Sequence, residues 1–157
     1  MGSFQVIEEQ EGIEADILRH LARQGRALQN FSVPQHPALL VVSPKAALRI
    51  KHLAGACRMA LLPGDSLRSD WALQAASAVS YGTGPKNTLT LSSQEGQQLW
   101  LALQRELVTI QGHVVERQEF SWLLTPGDSP QSALAVAGAL LLLGVPPEHL
   151  SSPSSPA

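Results

Sequence analysis

The stretch Ser77–Ser93, S-A-V-S-Y-G-T-G-P-K-N-T-L-T-L-S-S, decides how the chain folds. Ala78–Tyr81 is a short apolar run of strand type, Gly82–Lys86 is turn chemistry, and Thr88–Leu91 alternates polar and apolar residues as a half-exposed strand does. Two styles of folding meet there. The residues before it read as alternating helices and strands, and those after it read as a hairpin and a closing helix.

On the amino-terminal side, Ile13, Ile17, Leu21 and Leu28, with Leu18 beside them, recur at helical spacing and predict a helix over Glu11–Leu28. Glu8, Glu9, Glu11, Glu14 and Asp16 crowd its start and Arg19, Arg23 and Arg26 its end, as the helix dipole favours. These charges read as a solvated outer face. After Pro34 and Pro37, the continuous apolar run Ala38–Ser43 predicts a strand buried on both faces. Ser43-Pro44 then supplies a cap and a proline at the first helical position. Ala46, Ala47, Ile50, Leu53 and Ala54 give that helix its apolar side, with Gly55 to end it. Cys57–Leu62 is the next strand, followed by Pro63–Ser66 and a shorter helix through Trp71 to about Ala75. Two strand-then-helix units in succession predict a parallel sheet with right-handed crossovers.

On the carboxyl-terminal side, Gln97–Ile110 and His113–Leu124 read as a hairpin about a tight turn. A helix over Gln94–Leu107 competes, because Ser92 and Glu95 have capping-box spacing and Leu99, Leu103 and Leu107 repeat every four residues. Ser129-Pro130 opens a helix that is apolar around its whole circumference until Gly144 stops it, and such a helix must be buried. The predicted fold is a single α/β domain over residues 1–150, a three-layer or Rossmann-like parallel sheet with an added antiparallel hairpin and a buried C-terminal helix. Residues 151–157, S-S-P-S-S-P-A, have nothing to bury and read as a disordered tail.

The bulk composition narrows the function classes. A length of 157 residues with 44% apolar and 15% charged side chains suits one well-buried domain. A net charge of -2 offers no field for gathering polyanions, which argues against nucleic acid as a partner. Cys57 is the only cysteine, so no disulfide within the chain and no thiolate metal cluster can form. The longest apolar run, Ala133–Leu143, falls short of the ~20 residues that span a bilayer. The opening M-G-S-F-Q-V-I-E-E lacks a signal-peptide core, and Val6 stands where a myristoylation site wants Ser or Thr. The expectation is a cytoplasmic protein without a membrane partner.

Candidate chemistry is sparse. Gly82-Thr83-Gly84-Pro85-Lys86 invites a phosphate-binding reading, but G-x-x-x-x-G-K-[ST] needs Gly directly before Lys. Pro85 takes that place and removes one amide donor. The dinucleotide pattern G-x-G-x-x-G also fails at Asn87, and the plainer reading is a turn between strands. Met59–Leu67, M-A-L-L-P-G-D-S-L, resembles the first block of the GDSL hydrolases with Ser66 at the nucleophile's place. That family's G-x-N-D and D-x-x-H blocks are missing, and P-G-D-S recurs at Pro126–Ser129, so helix capping accounts for both occurrences. The five histidines have no ligand spacing, His20 reads as a helix-face residue, and Trp71, Trp100 and Trp122 read as packing. No cofactor and no metal are implied.

Tyr81-Gly82 after a strand, the alternating Asn87–Ser93, the hairpin, and P-G-D-S-P-Q-S-A-L-A-V-A-G-A-L-L-L-L-G-V-P-P-E-H-L together resemble the back half of the Mur ligase central domain. Those ATP-dependent enzymes add amino acids to the peptidoglycan precursor. In that family a helix opens with G-x-H-N-x-x-N-A-L-A and ends near L-G-V-P-P-E. The likeness covers about residues 57–150 and is best at Ser132–Leu150. The departures are as informative. No G-K-[ST] occurs anywhere, Asp128, Ser129 and Ser132 replace the family's His-Asn and later Asn, and Asp65 stands alone where the family tends to have Asn-x-Asp-Asp.

The resemblance therefore implies a non-catalytic relative, a binding or regulatory module near bacterial cell-wall synthesis, whose partner is an unknown protein or small ligand. The alternative is a small-molecule or nucleotide-binding domain using loops at the strand carboxyl ends, at Ser43-Pro44, Gly64–Ser66 and Gly82–Lys86. Its ligand-binding residues would be Gly64, Asp65, Ser66, Tyr81, Gly82, Gly84 and Lys86. Loops filled by their own side chains would count against it. A serine hydrolase is the third reading. A homo-oligomer is one way to cover the edge left by half-exposed strands.

Overall fold

The computed structural model describes residues 4–25, 37–50, 52–66 and 72–151. Its strands are β1 (Phe4–Ile7), β2 (Leu39–Val42), β3 (Ala54–Pro63), β4 (Ala72–Gly82), β5 (Leu89–Glu95), β6 (Gln98–Leu103), β7 (Leu107–Val108), β8 (Val114–Val115) and β9 (Gln118–Leu123). The helices are α1 (Ile13–Arg23), α2 (Pro44–Arg49), α3 (Pro130–Leu142) and α4 (Pro147–Ser151). One sheet runs in the order β1-β2-β3-β4-β5-β6-β9 and curls into a half-barrel, while β7 and β8 pair separately. The first five strands are parallel, and β6 and β9 continue the sheet antiparallel.

The alternation of side chains sorts the core into two clusters. Leu39 and Val41 of β2, Met59 and Leu61 of β3, and Val79 and Tyr81 of β4 face α1 and α3. Leu40, Val42 and Ala60 face the other way, onto Ala46 and Ala47 of α2. The domain is therefore three layers, an α/β fold with a buried C-terminal helix. Strands β1, β2 and β3 lie side by side in that order and run parallel, with α1 and α2 on opposite faces.

The strongly patterned elements sit where the sequence predicts. Ile13, Ile17 and Leu21 are fully buried along α1, although the residues beyond Gly25 assigned to that helix lie outside the described ones. Ser43 caps α2, its Oγ accepting from the Ala46 amide at 3.0 Å. Gln97–Ile110 and His113–Leu124 form one long, interrupted hairpin, β6 against β9 and β7 against β8. The competing helix over Gln94–Leu107 does not form. Instead Gly96-Gln97 turns β5 into β6, with Gly96 at φ 59 supplying the positive angle that a two-residue hairpin turn requires.

Four details differ from expectation. Phe4–Ile7 is an edge strand paired in register with β2, a role that four residues of mixed polarity do not advertise. Ala54 and Gly55 belong to β3 rather than to the end of α2, and Ala72–Ala75 is the start of β4 rather than a helix, because the two segments pair with each other. Alanine's helical preference yields there to a ladder partner. The segment 67–71 lies outside the described residues. The change from parallel to antiparallel falls at Gly96-Gln97, not within Ser77–Ser93, since β5 is still parallel to β4. A parallel pair normally needs a crossover of a dozen residues, yet the loop 83–88 suffices because only Tyr81↔Leu89 and Gly82↔Thr90 are paired. Strand β5 is staggered, starting where β4 ends. Lastly, Ser151 ends α4, and the rest of the predicted tail, 152–157, lies outside the described residues.

Helix α3 packs across β2, β3, β4 and β5 and against α1. Every residue from Ser132 to Leu142 is buried. Its amino end is capped by Ser129, whose Oγ accepts from the Ser132 amide at 3.0 Å. Its carboxyl end closes with a Schellman arrangement, Gly144 N–H to Leu141 O and Val145 N–H to Leu140 O, with Gly144 at φ 102. The remaining carbonyls are met from the β7–β8 turn: the Ile110 amide donates to Leu142 O and Gln111 Nε2 to Leu143 O. No carbonyl in that buried last turn is left without a donor. Midway along the helix a Cβ on Gly138 would lie 3.0 Å from Leu61 Cδ2 and 3.4 Å from Leu89 Cδ2, so the glycine sets how closely α3 lies on the sheet. Gly138→Val is expected to lower unfolding free energy by about 1–3 kcal/mol through overpacking. An unchanged denaturant midpoint would contradict this close approach.

Candidate functional site

The loops that follow the parallel strands gather at one end of the sheet. A fold of this class presents ligand sites there, where helix and loop amides point outward. The sequence candidates fall largely together. Gly64 and Asp65 open a 3-10 turn, Gly64–Ser66, at the end of β3, and Tyr81, Gly82 and Gly84 lie at the end of β4 and in the loop after it. Lys86 is exposed, and its carbonyl accepts from Arg105 Nη2 at 3.0 Å rather than from a member of this cluster. Ser66 closes the turn.

At the centre is the Asp65 carboxylate. It accepts from the Thr83 amide at 2.8 Å, from the Gly84 amide at 3.2 Å and from Asn87 Nδ2 at 2.9 Å. Asn87, only 4% exposed, also donates to Gly84 O at 2.9 Å and so locks the loop from beneath. The glycines are explained by contact rather than by ligand approach. A Cβ on Gly64 would lie 1.8 Å from Asn87 Oδ1, one on Gly82 would lie 2.3 Å from Asp65 Oδ2, and one on Gly84 would lie 2.5 Å from Asp65 Oδ1. The small residues leave room for the protein's own carboxylate and amide. Two consecutive amides that would cradle a phosphate oxygen are already satisfied.

The neighbouring loops share the same pattern. Gly12 precedes α1 and has no side chain to cap it, and Glu8 takes over: Oε1 accepts from the Ile13 amide at 2.8 Å and Oε2 from the Glu14 amide at 3.0 Å. Glu11 Oε2 accepts from the Lys45 amide, at the start of α2, at 3.3 Å. Three carboxylates from this chain thus occupy amide groups at the ligand-facing end of the sheet. The acidic crowding before α1 is in part a capping device, not only a solvated face.

Proton affinities agree with a structural role. Partial burial alone would raise the Asp65 pKa, but the hydrogen bonds from Asn87, Gly84 and Thr83 outweigh it and hold the carboxyl below its usual range. An acid so stabilised as the anion, with its lone pairs engaged, is a poor general base. Burial and the nearby Glu11 carboxylate push the Tyr81 phenol far up, so it stays protonated and donates to Val42 O at 2.5 Å, bridging β4 to β2. Among the described residues no three His, Cys, Asp or Glu side chains are placed to hold a metal ion, and no helix is long and apolar enough to cross a membrane.

One grouping escapes the sequence. His20 of α1 meets Trp122 of β9 in a tilted ring contact, centroids 5.0 Å apart and planes 38° apart, at the wall of a cavity of about 210 Å³. The two residues are remote in sequence, and only the curl of the sheet brings them together.

Gly64→Ala is expected to cost about 1–3 kcal/mol of unfolding free energy, because its methyl group displaces the buried Asn87 amide. Equal stability of the variant in urea would contradict the packing. Acid titration tests the clasp separately. A depressed carboxyl pKa adds stability that is present above the unfolded value of about 3.9 and is lost as pH falls through the folded value. The stability gap between the native protein and Asp65→Asn should therefore be widest near neutrality and narrow below about pH 4. A gap independent of pH would show that the carboxylate's charge is not what holds the loop.

No family model matches the chain and no curated protein matches it.

Proposed function

We propose that the chain is a non-catalytic, Mur-ligase-like domain that works as a binding or regulatory module beside the synthesis of the peptidoglycan precursor. The succession of elements supports the likeness: β4 delivers Tyr81-Gly82, the antiparallel β6 and β9 follow beyond the parallel β5, and the buried α3 is followed by Leu143–Glu148, L-G-V-P-P-E. The observation that carries the non-catalytic part is the seat of Asp65. Its carboxylate takes the Thr83 and Gly84 amides, the position from which a glycine loop would otherwise hold a transferring phosphate. The same self-filling counts against a nucleotide or small ligand in these loops.

The test uses the purified full chain with ATP, a muramyl nucleotide and a bacterial Mur ligase. The chain alone should neither hydrolyse ATP nor ligate an amino acid to the nucleotide, and at stoichiometric amounts it should change the rate of the ligase. ATP turnover by the chain itself, lost in Asp65→Ala, would overturn the non-catalytic reading. A ligase whose rate is unmoved at saturating chain would overturn the link to precursor synthesis.

A further inference from the structure

The cavity beside His20 has the lining of a ligand site, and it lies apart from the strand-end loops. Helix α1 lays Asp16, Arg19, His20 and Arg23 along one face, at helical spacings of three and four. The opposite wall is the end of β9 with Trp122, then the loop to α3 carrying Asp128; Val136 of α3 and Leu150 of α4 supply an apolar floor. Asp16 pairs with Arg19. Among the described residues neither the Arg23 guanidinium nor the Asp128 carboxylate has an ion-pair partner, so the lining offers one free cation and one free acceptor on different walls. The His20 imidazole and the Trp122 indole, in tilted contact, line the same cavity. Burial, then the charges of Arg23 and Arg19, lowers the His20 pKa, so near neutral pH the ring is uncharged and presents an aromatic surface rather than a second cation.

We propose that this cavity binds a small aromatic monocarboxylate bearing a hydroxyl group. Its carboxylate pairs with Arg23, its ring lies against His20 beside the buried Trp122, and its hydroxyl donates to Asp128. A volume of about 210 Å³ limits the ligand to a single ring, since sites for drug-sized molecules run from ~300 Å³ upward. Arg is suited to this role because its planar fork takes a carboxylate through two parallel hydrogen bonds. Asp128 discriminates, because a second carboxylate on the ligand would face a like charge and an unsubstituted ring would leave the acceptor without a donor.

Isothermal titration calorimetry with 4-hydroxybenzoate, benzoate and phenol tests the assignment on the full chain. 4-Hydroxybenzoate should bind at one site with a Kd of about 1 mM or below, ahead of both other probes. Arg23 is exposed at the end of α1, so Arg23→Gln should keep the native circular dichroism while weakening 4-hydroxybenzoate about tenfold, as loss of a charged hydrogen bond does. Asp128→Ala, which removes the acceptor, should remove the preference for 4-hydroxybenzoate over benzoate. Absence of saturable binding by any probe at about ten times that concentration would overturn the site. Equal affinity in the native and Arg23→Gln proteins would overturn the carboxylate's place, and an undiminished hydroxyl preference in Asp128→Ala would overturn the role of that residue.

Discussion

A helix that is apolar on every side has to be wrapped, and the wrapping of α3 organises this molecule. Sheet strands β2 to β5 take one side of it and α1 another, and the β7–β8 turn closes over its end. Each fully buried Leu along it contributes about 1.5–3 kcal/mol relative to exposure, so the combined drive is large for a domain of this size. The cost of burying a helix end is avoided by giving each terminal carbonyl a donor, two of them from Ile110 and Gln111 in an element far away in sequence. The half-barrel curl answers the same demand, because a flat sheet covers one side of a helix only.

At the other boundary of the domain, the loops after the parallel strands are finished with the chain's own negative charges. Glu8, Glu11 and Asp65 each sit on backbone amides that face out of the sheet. In many α/β proteins such amides are left for a substrate. Here they contribute to folding.

How much of this is legible in the sequence depends on the range of the interactions. Local signals read through: the Ser43-Pro44 and Ser129-Pro130 helix starts, the Ala38–Ser43 strand buried on both faces, and the all-apolar helix ended by Gly144. Elements defined by a partner do not. Phe4–Ile7 is a strand because β2 lies next to it, and Ala72–Ala75 is extended because Ala54–Cys57 pairs with it. The candidate loops are visible from their glycines, but the reason for the glycines is not, since Asp65 and Asn87 meet across more than twenty positions. The groove with His20 and Trp122 leaves no trace in spacing at all.

The two-pair joint between β4 and β5 bears on how the domain holds together as a unit. A ladder of two residue pairs transmits little cooperativity, so the hydrogen-bond network of the sheet is nearly divided there into a parallel block and an antiparallel block. Contacts between side chains and helices span the division, among them Arg58 Nη2 donating to Ile110 O at 2.9 Å and His20 meeting Trp122. Helix α3 lies across both blocks, and Asp65, at the tip of β3, grips the loop that connects them. The unity of the domain thus runs through side chains rather than through the sheet. A disturbance at α3 or at Asp65 would loosen one block against the other before it melted either.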